Sequence, residues 1–356
     1  MRVRHVLGAS FIALAASASL PAHALNIVIG NDDGCEASGV HALYQKLTEA
    51  GHQVIVSAPM LDQSGQGGAL AFLRPITPLT APSRGGNLPA GTPGVATLAS
   101  VSDLPYGNRV FCVNSTPVAA VMHGLDVAAA AVFGAPADLV ISGVNYGSNT
   151  GLINNGSGTV NAALSAVNRG YAAIAASAVL PASYRTFNVL RLSDQEYENA
   201  DLVVALVARL ERRAWPHGQG YGHGQAPARE LIPAGFALNL NLPSYAAGSG
   251  GALKWRMSDE GTAAAAAPFF VADLSTSTLA QRVGLGNVHL PGVTLLLPGQ
   301  PDPAATGLRF VEDNDRSSEQ NVIDAGAIAL SLIQGNHQAA ARAKALMRVR
   351  LHGLVD

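Results

Sequence analysis

Apolar residues follow two alternating rhythms through the first half of the chain. Residues 25–30 (LNIVIG) form a short β-rich run, and the polar group Asn31-Asp32-Asp33-Gly34 follows at once. Val40, Leu43, Tyr44 and Leu47 then recur at i, i+3, i+4 and i+7 ahead of Gly51, the pattern of an amphipathic helix stopped by a glycine. Residues 53–57 (QVIVS) close a strand–helix–strand unit whose right-handed crossover favours parallel pairing. The rhythm returns at residues 109–113, ahead of a helix marked by Val118, Val121, Met122 and Leu125. It returns again at residues 138–141, ahead of a helix marked by Val160, Ala163, Leu164 and Val167, and residues 172–178 read as a further buried strand. This alternation predicts an α/β fold, doubly wound around a mostly parallel sheet, with ligands at the carboxyl ends of the strands.

Elsewhere the pattern changes. Residues 67–108 are rich in Gly, Pro, Ser and Thr with short β-like pieces, an excursion that leaves the sheet and returns. Ser193 and Glu196 have capping-box spacing ahead of a long helix carrying Leu202, Val203, Leu206, Val207 and Leu210. A glycine-rich loop over 215–235 precedes the alternating strand 236–242 (FALNLNL). Signals weaken from 243 to about 307 into short strands, an alanine run at 263–267 and polar loops. A last helix is expected over 322–333, followed by a basic, helical tail over 342–350. The organisation is therefore a leader over 1–24, an α/β core over 25–242 with its β-rich excursion at about 67–108, and a distal β and loop region with C-terminal helices over 243–356, assigned to oligomerisation.

Composition narrows the function classes. Of 356 residues, 48% are hydrophobic and 13% charged, enough for a large core. A formal net charge of -2 offers no field for a polyanion, so a nucleic-acid scaffold or an anionic-membrane binder is not suggested. A small phosphorylated ligand stays compatible, because a metal supplies positive charge locally. Arg2 and Arg4, the apolar run from Val6 to Leu20, and Ala22-His23-Ala24 read as a signal peptide cleaved after Ala24, making the protein periplasmic or secreted. That run is shorter than the roughly 20 residues a membrane span needs, and no later stretch is long enough. In an oxidising compartment Cys35 and Cys112 have two readings, one disulfide or two small buried thiols.

Candidate chemistry gathers after the strands. Adjacent carboxylates at a strand end repel unless protons or a cation neutralise them, and a hard divalent cation does so with oxygen ligands. Asp-Asp-Gly is also good material for a turn or helix cap. Ser64, in the turn after the second strand, and Asn145, in Ser142-Gly143-Val144-Asn145, bring neutral oxygens to the same edge. Asn155-Gly156-Ser157-Gly158-Thr159 opens the next helix, where glycines, hydroxyls and free N–H groups suit a phosphate, or where Thr159 is a plain N-cap. Ser115-Thr116-Pro117 opens the preceding helix in a similar way.

Together these segments resemble the motifs of the SurE family of stationary-phase survival phosphatases, in that family's order and spacing, most strongly over 25–179. The resemblance implies a Rossmann-like, three-layer α/β/α core and 5′- or 3′-nucleotidase activity on nucleoside monophosphates. It also implies one divalent metal per subunit, Mg²⁺ or Mn²⁺, bound by Asp32, Asp33, Ser64 and Asn145, with Asp32 and Asp33 catalytic. Phosphate contacts fall on Asn31, Ser157, Gly158 and Thr159. Homodimers or homotetramers built partly by exchanged C-terminal segments are implied as well. The chain departs from the family where Ser115-Thr116-Pro117-Val118-Ala119 stands in place of a Gly-Thr-Pro turn followed by an acidic residue, and in its loop over 217–223. Both departures bear on substrate preference. The competing reading from another class is an exported binding protein for a phosphorylated or sugar ligand, without turnover.

Overall fold

Ile27, Val28 and Ile29 are apolar on both faces of one short strand, and such a strand needs cover on both sides. The computed structural model describes residues 24–101, 104–179, 194–213, 215–216, 229–305, 307–308, 313–336 and 341–351. The leader up to His23, Ser193 of the expected capping box and the loop over 217–223 lie outside the described residues.

Strand β1 (Asn26–Gly30) leads through helix α1 (Ser38–Glu49) to β2 (Gln53–Pro59), pairing in parallel with Ile27 opposite Val54. Then follow β3 (Val95–Val101), β4 (Leu104–Val113), α2 (Pro117–His123) and α3 (Ala129–Phe133), the two helices joined by a π-turn over Gly124–Ala128. Next are β5 (Leu139–Tyr146), α4 (Gly158–Asn168), β6 (Ala172–Ala178) and α5 (Asp194–Arg213). A two-residue ribbon, β7 (Trp215–Pro216) with β8 (Arg229–Glu230), precedes β9 (Phe236–Leu242) and β10 (Trp255–Ser258). A separate hairpin of β11 (Ala267–Val271) and β12 (Gly292–Leu296) encloses α6 (Thr278–Arg282). Helix α7 (Glu319–Asp324), β13 (Ile328–Gln334) and α8 (Ala341–Arg350) end the described chain.

The main sheet has nine strands in the order β10-β13-β9-β6-β5-β1-β2-β4-β3. All neighbours from β4 to β9 run parallel, while β3 on β4 and β13 on β9 are antiparallel. This is the doubly wound α/β class expected from the sequence. Helices α1 and α5 cover one face, with Leu43, Leu47, Val203 and Val207 in a common core with Ile27, Ile29, Ile141 and Leu240. The other face packs Val121, Val160 and Ala163 of α2 and α4 with Val28, Ile55 and Val140. No described helix is long and apolar enough to cross a membrane.

Two stretches differ from expectation. The helix expected over 322–333 is instead the short α7 followed by β13. Gly326 turns the chain at φ 77°, and the following residues pair with β9 from Ala329 opposite Asn241 to Gln334 opposite Phe236. Its apolar spacing also fits a period of two, and the free edge of β9 decides between the periods. Residues 142–146, expected as a loop, continue β5 through a bulge between Ser142 and Asn145. Gly143 is required there: its φ is 136°, and a Cβ would stand 2.1 Å from the Ala176 carbonyl oxygen.

Within the excursion, β3 folds back on β4 at the sheet edge. The buried Glu36 carboxylate anchors the preceding loop by accepting from the N–H groups of Gly85 (3.0 Å) and Asn87 (2.9 Å). Cys35 and Cys112 form a disulfide, which selects one of the two readings left open by the sequence. It ties the turn after β1 to β4 across 77 residues. By loop-closure entropy, the Cys35→Ser/Cys112→Ser double variant should unfold about 4 kcal/mol more easily, read as a lower denaturation midpoint that reductant does not shift further.

Candidate functional site

The aspartate pair emerges where β1 ends beside the ends of β2 and β5, and its side chains turn inward. Both are buried: Asp32 is 3% and Asp33 1% exposed. The reason lies in the neighbours. The loop after β2 crosses over the pair, with Gln63 N–H donating to the Asp32 carbonyl at 2.8 Å, and the first turn of α4 closes the other side.

Each carboxylate is held differently. Thr159 holds both oxygens of Asp32: its hydroxyl donates to Oδ1 at 2.6 Å and its backbone N–H to Oδ2 at 3.0 Å. Asp33 Oδ2 accepts from the Asn31 side-chain amide and from the Tyr146 backbone N–H, both at 3.0 Å. Asp33 Oδ1 is buried and accepts from no described group. Burial pushes both carboxyls above the usual carboxylate range, against the lowering effect of these hydrogen bonds. For Asp33 the neighbouring Asp32 charge adds to the rise.

An orphaned carboxylate oxygen beside a second buried carboxylate is a costly arrangement, and a divalent cation relieves it. Among the described residues no three His, Cys, Asp or Glu side chains converge, so a cation here would use the two aspartates and neutral oxygens. Asn145 suits that role: its amide nitrogen donates to the Gly147 carbonyl at 2.8 Å, which leaves Oδ1 as its unengaged end. These hard donors fit Mg²⁺ or Mn²⁺.

The remaining expected residues divide. Asn31 lies within the pair, its Oδ1 accepting from Asp32 N–H at 2.8 Å while its amide nitrogen serves Asp33. Ser157, rather than Thr159, caps α4 by accepting from Val160 N–H at 3.1 Å. Gly158 is packed so closely that a Cβ would lie 2.8 Å from both the Asp32 Cβ and Oδ2. Ser64 is exposed, with its N–H turned to Asp62 Oδ1, and no hydrogen bond joins it to the pair among the described residues.

Two acidic residues of the surrounding shell were not expected to serve it. The Tyr146 hydroxyl and Ser38 converge on the buried carboxylate of Glu196 beneath β5. Glu319 is fully buried and receives Asn239 Nδ2 at 2.8 Å, Asn154 Nδ2 at 3.1 Å and Gly151 N–H at 3.2 Å. Burial pushes its carboxyl up to about 7 despite these bonds. Glu319 stands 160 positions after Thr159 and three before the helix expected over 322–333, and no local pattern marked it.

The family described as "Survival protein SurE" matches residues 27–266. A protein of Nitratidesulfovibrio vulgaris named "5'-nucleotidase SurE" is 32% identical over 219 residues, 61% of each chain. One of the same name from a Picosynechococcus species is 33% identical over 226 residues, 63% of this chain and 65% of that protein. An "Acid phosphatase" of Yarrowia lipolytica is 30% identical over 219 residues, 61% of this chain and 56% of its own. The chain thus spans about three fifths of the length of these curated relatives. The crystal structure of a SurE protein from Aquifex aeolicus superimposes with a TM-score of 0.59 at 19% identity, covering 91% of this chain and 99% of that one, which shows a shared fold.

Two outcomes are expected from this geometry. Gly158→Ala should displace Asp32 or the start of α4 and destabilise the protein by about 1–3 kcal/mol, visible as a lower Tm. Glu319 titrates higher folded than its ordinary value of 4.5, so the unfolded chain releases that proton first as pH rises. Its contribution to stability is therefore intact below about pH 4.5 and declines through about pH 7. Urea unfolding of wild type and Glu319→Gln across pH 5 to 7.5 should shift the difference toward the Gln variant by up to about 3 kcal/mol.

Proposed function

The chain belongs to the survival protein SurE family, and we propose that it is a divalent-cation-dependent phosphomonoester hydrolase that releases phosphate from nucleoside 5′- or 3′-monophosphates. The observation that carries this is Asp33 Oδ1, a buried carboxylate oxygen without a hydrogen-bond donor, beside Asp32 under the N-terminal turn of α4. Relatives named as 5′-nucleotidases and as an acid phosphatase support the substrate class.

Asp32, Asp33 and Asn145 would hold the cation, with Ser64 joining from its exposed loop. When bound, such a cation supplies Lewis acidity toward a phosphoryl oxygen and offsets the charge of the transition state. The chain's own groups supply position. Thr159, bonded to both oxygens of Asp32, fixes that carboxylate in one orientation, while Asn31 and Tyr146 fix Asp33 so that only Oδ1 is presented. Gly158 N–H, in the first turn of α4, has no described partner and is the backbone donor available to a phosphate. Phosphoryl transfer depends mainly on such positioning and charge neutralisation, so a covalent nucleophile is not required.

The same proposal places the mature protein outside the cytoplasm, through the leader ending at Ala24, and as a homodimer or homotetramer. The disulfide between Cys35 and Cys112 accords with an oxidising compartment.

Purified protein with Mg²⁺ or Mn²⁺ should release inorganic phosphate from nucleoside monophosphates, lose that activity on chelation and regain it when the cation is restored. Asp33→Asn should lower kcat by about a hundredfold or more. In the same variant, the rise in Tm that Mn²⁺ gives the wild type should disappear. Tight nucleotide binding with no phosphate release under any of these cations would overturn the proposal.

A further inference from the structure

Between β5 and α4 the chain runs through residues 149–157 with little structure of its own beyond a 3₁₀ turn over Gly151–Asn155. Buried backbone in such a run needs partners from elsewhere. Here they come from two side chains of the sheet and from α7. Asn149 N–H donates to Asn241 Oδ1 at 2.9 Å, and the Asn149 carbonyl accepts from Asn239 at 3.0 Å and Asn241 at 2.8 Å. The Asn149 side chain in turn donates to Ser177 Oγ at 2.9 Å.

At the next turn the partner is α7. Glu319 Oε2 accepts from Gly151 N–H and Asn154 Nδ2, and its Oε1 accepts from Asn239 Nδ2. Beside it, Thr150 Oγ1 donates to Gln320 Oε1 at 2.7 Å. The turn has little room to shift without breaking these bonds: a Cβ at Gly151 would lie 2.2 Å from the Ala263 carbonyl oxygen. No cation pairs with Glu319 among the described residues. The acidic groups around it are Glu260, whose Oε1 shares Asn154 Nδ2, Asp259, whose carbonyl accepts Glu319 N–H, and Asp313, which accepts the Ser318 hydroxyl.

The turn leads directly into the site. Ser157 N–H donates to the carbonyls of Ile153 (3.0 Å) and Asn154 (3.3 Å), Ser157 caps α4, and Thr159 two residues on holds Asp32. We infer that Glu319 is a positioning residue: through Gly151 and Asn154 it sets the turn over 150–157, and so places Thr159 against Asp32. Glu319 lies beyond the residues matched by the family, so a segment outside that match fixes the geometry of the aspartate pair. A buried carboxyl suits this work because one side chain accepts from several N–H donors at once.

The kinetic part rests on the phosphatase proposal; the structural part does not, and the test separates them. In wild type, Glu319→Ala and Glu319→Gln, amide hydrogen exchange is measured over 150–160, Mn²⁺ affinity by calorimetry, and kcat and KM on adenosine 5′-monophosphate. Glu319→Ala should speed exchange over 150–160 by about tenfold or more while β1 and β2 keep wild-type rates. It should also weaken Mn²⁺ binding about tenfold and lower kcat by a similar factor with KM within about twofold. Glu319→Gln, which keeps an acceptor oxygen, should fall between the two. If Glu319→Ala does not fold, Asn154→Ala cuts the link from the turn side and carries the same expectations. Wild-type exchange over 150–160 with unchanged Mn²⁺ affinity would overturn the inference, as would an equal rise in β1 and β2. A wild type that releases no phosphate would remove the phosphatase proposal, while exchange and Mn²⁺ affinity would still decide the role of Glu319.

Discussion

Like charges a few ångströms apart in a low-dielectric interior repel strongly, and burying Asp32 and Asp33 together at the end of β1 imposes that repulsion on the fold. The groups around the pair all answer it. Thr159 gives two donors to one carboxylate, while Asn31 and Tyr146 give one each to the other. These bonds pull both carboxyls down, yet burial still holds them above their ordinary range. Of the four oxygens, Asp33 Oδ1 is the one that accepts from no described group. In a well-packed protein an unsatisfied buried acceptor calls for an explanation, and the cation proposed for this site would supply one.

Holding those donors in place takes contributions from well-separated parts of the chain. Tyr146 reaches Asp33 because β5 continues through its bulge, which only a glycine at 143 permits against the Ala176 carbonyl. Thr159 reaches Asp32 because Gly158 lets α4 start in contact with it. The disulfide of Cys35 restrains the turn that follows the pair. Each device holds one side of the site on rigid elements of the sheet, which is what a catalytic constellation needs for fixed geometry.

Glu319 shows the other use of a buried acid. Its oxygens are saturated with N–H donors from Gly151, Asn154 and Asn239, so it acts as a brace, whereas Asp33 keeps an open position. A saturated polar cluster rigidifies what it touches, and this one touches the turn that feeds α4. The distal segment that carries Glu319 also supplies β13 and β10 to the main sheet, so it is continuous with the core through strand pairing as well as through this cluster.

The sequence by itself determined the doubly wound α/β class and the place of the aspartate pair, because both rest on local signals. A period of 3.6 marks α1 and α4, a period of two marks β9, a short continuous apolar run marks β1, and the polar turn directly after that run marks Asp32 and Asp33. Where two periods fit the same residues, as over 322–333, only the unfilled edge of β9 selected the strand. The status of Cys35 and Cys112 likewise awaited the adjacency of the β1 turn and β4. Burial of the pair, the assignment of the α4 cap to Ser157, the distance of Ser64 and the brace from Glu319 were all decided by tertiary structure. They depend on which groups meet across the fold, and hydrogen bonding between residues 165 and 168 positions apart leaves no periodic trace in either segment.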